Sequence, residues 1–432
     1  SRQDAAPTIG KKMWDPAKCE IPSHNRFLIL HHMKGGPRKK ITKVKATPVN
    51  IPLESPFYWS VGTYPGTTKT IIEVETDEGI VGLGESPSGD CAEVINNQMG
   101  PRLIGYDPID IAGCEMRCLP EWCVVQNTDD ASVVKAFGGI EIALWDIRGK
   151  AWERPLYELL GGAVRKEIPF TEYFAFRVEK DGLGGEMSPE AVADYCVKMR
   201  EEHGATMFEG KLTVGDPHLE VATVKCLREK LGPEVMLRLD SNMAWSLSTA
   251  RQILREIEPY NIRNYEDPVA TFEEMAALRR HSSIPFSSHV PDIRRAVALG
   301  VPDTFVTNFA VLGGINRAIR FIGACEAMGI GFWCYSGDAG VCTAAYLHVT
   351  AAMQWIHEPS QSLKRWQIGD VIQDGPFKPK NNVVAVPEGP GLGVELDRDA
   401  LNHWHQDFVE NGPMDHYDNP ENPGYFRRLP LD

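Results

Sequence analysis

VMLRLDSN at residues 235–242, NIRNYEDPV at 261–269 and IPFSSH at 284–289 are three short apolar runs, ending on or near Asp240, Glu266 and His289. Each of those side chains can hold a hard cation. The intervening segments, SLSTARQILREIEPY (246–260) and TFEEMAALRRHS (271–282), place apolar residues at helical spacing. Strand, helix, strand, helix, strand demands a parallel sheet, because parallel neighbours need a crossover. The three side chains then fall at equivalent C-terminal strand ends, which in a closed barrel converge on one mouth. Two carboxylates and an imidazole there point to a divalent ion, with Mg²⁺ expected and water or substrate oxygens completing its shell. Capping of the following helix is the plain alternative for each acid taken singly, and imidazole suits zinc as well.

The same rhythm extends outward. Strands are expected in IPFTEYFAF (168–176), TMFEGKLTV (206–214), DTFVTNF (303–309) and GIGFWCYS (329–336), with a last one around 357–361. Helical stretches such as EAVADYCVKMREE and GGINRAIRFIGACEAMG separate them. Before the barrel, ITKVKATPVNI (41–51) and KTIIEVETDEGIVGLGES (69–86) read as antiparallel strands turning at Asp77-Glu78-Gly79, with FYWSVGTYPG (57–66) as an aromatic loop. AFGGIEIALWDIRGKAWERPLYELLGG (136–162) reads as helical, with Ile140, Ala143, Leu144 and Ile147 on an apolar face and a stop at Gly161-Gly162.

At 432 residues, 43% hydrophobic and 24% charged, the chain is a globular protein of about two domains. A net charge of −14 argues against nucleic acid, since the one compact basic run, Lys34–Lys40, sits in a Gly- and Pro-rich linker-like segment. The ten cysteines form no CxxC pair, Cys114, Cys118 and Cys123 included, so a reduced cytoplasmic setting is expected. No run has the length of a membrane span, and the start lacks a secretory pattern. In the irregular first 40 residues FLIL (27–30) alone has the character to dock on a core, and His31-His32 reads as incidental.

TIIEVETDEGIVGLGES and IEIALWDIRGKAWERPLYELLGG resemble the capping domain of the enolase superfamily, in its mandelate racemase and muconate lactonizing branch. VVAVPEGPGLGVELD (383–397) resembles the return to that domain, and the likeness covers roughly residues 41–405. It implies a (β/α)7β TIM-like barrel with an α+β N-terminal capping domain, and a bound Mg²⁺. The chemistry implied is abstraction of a proton next to a carboxylate, giving a metal-stabilised enediolate. The organisation expected is an extension (1–40), a capping domain (41–165), a barrel (166–380) and a segment returning to the cap (381–432), with the tail past Asn402 a wrap or a loose end.

Such chemistry needs positive charge for the developing dianion and a base in reach of the proton. Lysine serves when a nearby cation and desolvation favour its free amine, and Lys211 is the candidate. The resemblance implies two lysines two apart on this strand. Counting from Gly204 sets Glu209 and Lys211 on that pair, and counting back from Gly215 sets Lys211 and Thr213 there; the former is preferred. The family's Asp–His dyad corresponds to Asn308 and Tyr335, leaving Tyr335 as an acid or an activated base. His289 stands where glucarate dehydratase-like members carry Asn, and LDSNMAWSL (239–247) resembles their third-strand motif, with Asn242 near substrate or Lys211. Ser60 and Tyr64 in the lid loop, with Glu209 and Asn308, are expected to touch substrate.

Acid-sugar dehydration is therefore the first reading: Lys211 takes the C2 proton and the 3-hydroxyl leaves. Epimerisation or cycloisomerisation through the same enediolate is second, and a ligand-binding protein without turnover is third. The expected partner is a small sugar acid, and a homo-oligomer is expected by analogy.

Overall fold

The computed structural model describes residues 39–120, 132–212, 215–335 and 337–414, with positions 416, 417, 419, 422 and 425. The extension up to Arg38, Cys123 and Thr213 lie outside the described residues.

Three antiparallel strands form the cap sheet: β1 (Ile41–Trp59), β2 (Gly62–Thr76) and β3 (Val81–Ser86). FYWSVGTYPG is not the loop expected. Phe57 pairs with Tyr64, Tyr58 with Thr63 and Trp59 with Gly62, so the aromatics extend the β1–β2 hairpin to a tight turn at Ser60-Val61. Aromatic and β-branched residues favour that pleated ladder, and the register slips between Ile41 and Lys43 and again between Pro52 and Phe57. Behind the sheet lies the helix Ser132–Ala151. Gly84 makes the close approach possible, since a Cβ there would stand 2.0 Å from the Gly139 carbonyl oxygen. This helix stops at Ala151, short of the expected Gly161-Gly162, and a separate turn, Leu156–Leu159, begins after Pro155. Proline is tolerated where a helix starts but not inside one.

The strand expected at 168–176 divides. β4 (Glu167–Pro169) pairs antiparallel with Val383–Ala385, while β5 (Glu172–Phe174) enters the barrel. β6 (Met207–Lys211), β7 (Met236–Asp240), β8 (Asn264–Glu266), β9 (Phe286–Ser288), β10 (Thr304–Thr307) and β11 (Gly331–Cys334) follow in spatial order equal to chain order, all parallel. Residues 360–361 bridge the remaining gap. Gln361 N donates to Cys334 O at 3.1 Å, and Thr171 N donates to Ser360 O at 2.9 Å. The fold is thus the curled parallel α/β sheet with an antiparallel N-terminal cap. No helix among the described residues is long and apolar enough to cross a membrane.

Three buried carboxylates near the cap sheet seat it on the barrel by answering backbone N–H groups that have no partner of their own. Glu141 accepts from Ile315 N (2.6 Å) and Asn316 N (3.0 Å), where the helix Ile315–Met328 begins on a glycine without a capping side chain. Glu85 accepts from Ala339 N (2.7 Å) and Cys342 N (2.8 Å) at the start of Gly340–Ala352. Asp146 joins Leu83 N to Leu392 N, both at 2.8 Å. Leu392, within 383–397, thus meets the cap helix at Asp146.

Candidate active site

Lys211, Asp240 and Glu266 are the last residues of β6, β7 and β8 and face one another in lateral register. Their level follows from strand pairing alone. His289 extends the row one residue past β9, and ligand atoms of Asp240, Glu266 and His289 lie within 4.8 Å of one another. Asp240 and Glu266 are fully buried. His289 Nε2 stands 2.6 Å from Glu266 Oε1, yet that oxygen has no hydrogen bond among the described residues. Both atoms are of the kind that ligate a metal ion. Burial first, then Asp240 and Glu209, pushes the Glu266 carboxyl far above the usual range.

Asp240, Glu266, Glu209 and Asp267 are buried carboxylates gathered at one end of the barrel, and Lys211, Arg238 and His289 contact them. Burial and the neighbouring carboxylates raise Glu266, Glu209 and Asp267, a cost that a bound cation would relieve. The oxygen-rich set with one imidazole fits such an ion.

Lys211 Nζ contacts Asp240 Oδ2 and opens on the cleft. Glu209, two residues deeper on the same strand face, does not line the cleft as expected. It is fully buried, ion-paired to Arg238 Nη2 at 2.7 Å and bonded by Gln361 Nε2. Gln361 also donates to Glu266 Oε2 at 2.8 Å, so it ties Glu209 to the ligand row from the closing strand. Arg238 is held in turn by Pro359 O (2.7 Å) and by the Trp333 ring, 4.0 Å from its guanidinium carbon. Asn242, in the left-handed region at φ 47°, donates its backbone N–H to Asp240 Oδ1 (2.8 Å) and lines the cleft.

The opposite wall is built differently. Asn308 lines the cleft, but its Oδ1 caps the turn at Ala310 N (2.7 Å) while its Nδ2 donates to Asp338 Oδ2 (2.6 Å). One amide hydrogen remains for a ligand. Asp338 also receives the Tyr346 hydroxyl and Lys69 Nζ, the latter at 2.8 Å. Lys69 comes from β2 of the cap, lines the cleft and is buried. Tyr335 lies ring to edge with His289 at 5.5 Å and shares a hydrogen bond with Tyr64. Burial, then Tyr64 and Asp338, pushes the Tyr335 hydroxyl well up, so it stands as a proton donor rather than a base. Ser60 does not reach this site: it is buried in the hairpin turn, outside the cleft lining.

Between the walls lies a cleft of about 670 Å³. Lys69, Asp338, Gln361 and Tyr173 were missed from sequence. Tyr173 on β5 lines the cleft, and burial, then Asp240, Glu209 and Glu266, raises its hydroxyl far above the ordinary value. Only the aromatic residue in a strand centre marked it. Asp338 lies three residues past Tyr335 and supplies the carboxylate that Asn308 lacks.

Residues 41–161 match the model of the mandelate racemase / muconate lactonizing enzyme N-terminal domain, and residues 191–400 match that of the enolase C-terminal domain-like family. The chain belongs to the enolase superfamily. Among its superfamily relatives, a probable glucarate dehydratase of Streptomyces coelicolor is 28% identical over 86% of this chain and 92% of its own. A chloromuconate cycloisomerase of Pseudomonas putida is also 28% identical, over 84% and 99%. An enolase of Pseudomonas fluorescens, solved with bound magnesium, potassium and tartrate, superposes with a TM-score of 0.78 at 27% identity, covering 87% of this chain and 94% of that one.

Proposed function

We propose that this superfamily member is a Mg²⁺-dependent acid-sugar dehydratase. The observation that carries it is the asymmetry of the two walls: an amine in register with the ligand row on one side, and a protonated phenol on the other. Asp240, Glu266 and His289 would hold Mg²⁺, which supplies fixed positive charge as a Lewis acid to the acid's carboxylate. Lys211 Nζ takes the C2 proton. Tyr335, paired with Tyr64, gives its proton to the departing 3-hydroxyl, which leaves as water. The resulting enol ketonises to a 2-keto-3-deoxy acid. Glu209, Arg238 and Gln361 keep the ligand row in place from below.

Epimerisation needs a base on each face, and neither Asn308 nor a protonated Tyr335 is one. Cycloisomerisation needs one base only, and the aromatic cleft residues Phe57 and Trp59 favour it as the second reading. The test is incubation of the full chain and MgCl₂ with aldonic and aldaric acids, followed by detection of 2-keto acid with semicarbazide. A keto product from at least one acid is expected. Exchange of the C2 hydrogen without keto product would overturn dehydration in favour of isomerisation.

A further inference from the structure

Pro413, Met414, His416 and Tyr417 lie beyond the part matched by the enolase C-terminal model, which ends at residue 400. Yet Pro413, Met414, His416 and Tyr417 line the same cleft as Lys211 and His289. The helix Arg398–Asn411 delivers them. It lies along β1, where His405 Nδ1 meets Pro48 O at 2.7 Å and Asn50 Nδ2 donates to Asp407 Oδ2 at 2.8 Å. Asn50 also donates to Gly412 O at 2.9 Å, where the chain turns over the hairpin.

From there the tail is built into the cap rather than resting on it. Met414 N donates to Thr68 Oγ1 (2.9 Å), Trp59 Nε1 donates to His416 O (2.7 Å), and His416 Nε2 pairs with Gly66 O (2.9 Å). Two hairpin glycines admit it: a Cβ on Gly62 would fall 2.6 Å from His416 O, and one on Gly66 would fall 2.4 Å from the Met414 sulfur. The His416 ring stacks on Tyr64 at 4.2 Å, and Tyr64 is stacked again by Phe57 at 5.0 Å. Tyr64 in turn bonds Tyr335, which touches His289. A row of contacts thus leads outward from the ligand row through Tyr335 and Tyr64 to the tail.

We propose that Pro413, Met414, His416 and Tyr417 form the distal wall of the cleft and set the length of the acid it accepts, with His416 as a positioning residue for Tyr64. This rests on the sugar-acid reading above. The carboxylate end of the ligand lies at the ligand row, and its far end meets Met414, His416 and Tyr417. A longer acid must displace that wall, whereas a shorter one leaves it in place.

The test compares the full chain with a truncation after Gly412 and with Met414→Ala/His416→Ala, the latter serving if the truncation does not fold. For each, kcat/KM and calorimetric affinity in MgCl₂ are measured for aldonic and aldaric acids of increasing chain length. Removing the wall is expected to raise the ratio of long to short acid by about ten-fold or more, the size of one misfitted carbon in a shaped pocket. An unchanged length profile in both variants overturns the proposal. Should the full chain load Mg²⁺ yet neither bind nor convert any of these acids, the sugar-acid reading fails on its own account. The wall is then judged by the rate at which tetranitromethane nitrates Tyr64 and Tyr335. Faster nitration on removing the tail supports coverage of the cleft, and equal rates overturn it.

Discussion

The wall that carries Lys211, Asp240, Glu266 and His289 and the wall that carries Tyr335, Asn308 and Lys69 enclose one cleft but are made by unlike means. The first is a single sheet edge, where adjacent strand ends are held level by backbone pairing. The second gathers side chains from the cap hairpin, two barrel loops and the C-terminal tail, held by Asp338 and by stacked rings. Rigidity in the first comes from the sheet, and in the second from a few buried polar contacts between segments distant in sequence. Substitutions should therefore act on the chemistry in the first wall, and on selection and proton delivery in the second.

The largest effect belongs to the ligand row. Glu266→Gln removes a carboxylate from the proposed ligand row, and Mg²⁺ affinity measured by calorimetry should fall by more than the about 10–100-fold typical of losing a residue that only orients a ligand. Full affinity in that variant would place the metal elsewhere. Tyr335→Phe tests the other wall. Turnover should drop by about 10²-fold or more, with Mg²⁺ affinity unchanged, and equal losses in both would erase the distinction between the walls.

Beneath the first wall, Arg238→Met strands Glu209 as an unpaired buried charge, and denaturant unfolding should show a loss of about 3–5 kcal/mol. Adding Glu209→Gln should restore most of it. A restored fold with lowered turnover would confirm that the pair supports the ligand row rather than touching substrate.

How much of this was legible in sequence follows the same division. Asp240, Glu266, His289 and Lys211 were readable because a strand's period and a strand's end fix where a side chain points. Glu209 shares that face, yet its depth in the barrel was not readable, since burial depends on how far the strand continues past it. The second wall offered no period to read. Lys69 and Asp338 are 269 positions apart in sequence and meet only through the docking of cap on barrel. The aromatic stretch at 57–66 reads as a loop, although its ring-bearing residues pair across a hairpin. The tail's role was hidden because prolines mark breaks and carry no information about what the chain then covers.

The smallest effect lies at the seam that seats the cap. His348 takes the Tyr157 N–H on Nδ1 (3.3 Å) and pairs through Nε2 with Leu392 O (3.0 Å), which requires the neutral ring. Burial lowers its pKa from 6.5 to about 4. The unfolded chain binds this proton below about pH 6.5 and the folded one does not, so the contribution is complete above that pH and is lost as pH falls towards 4. The loss amounts to about 3 kcal/mol at most. Thermal melts should show it, and His348→Gln should flatten the profile across that window. A melt unchanged between those limits would mean that the seam does not depend on the neutral ring.

The most direct test of the account is C2 hydrogen exchange in D₂O, followed by NMR on a sugar acid that the full chain binds, with and without MgCl₂ and in Lys211→Met. Exchange that requires Mg²⁺ and disappears in Lys211→Met is the predicted result. Exchange that persists in Lys211→Met, or that proceeds equally without the metal, would contradict it.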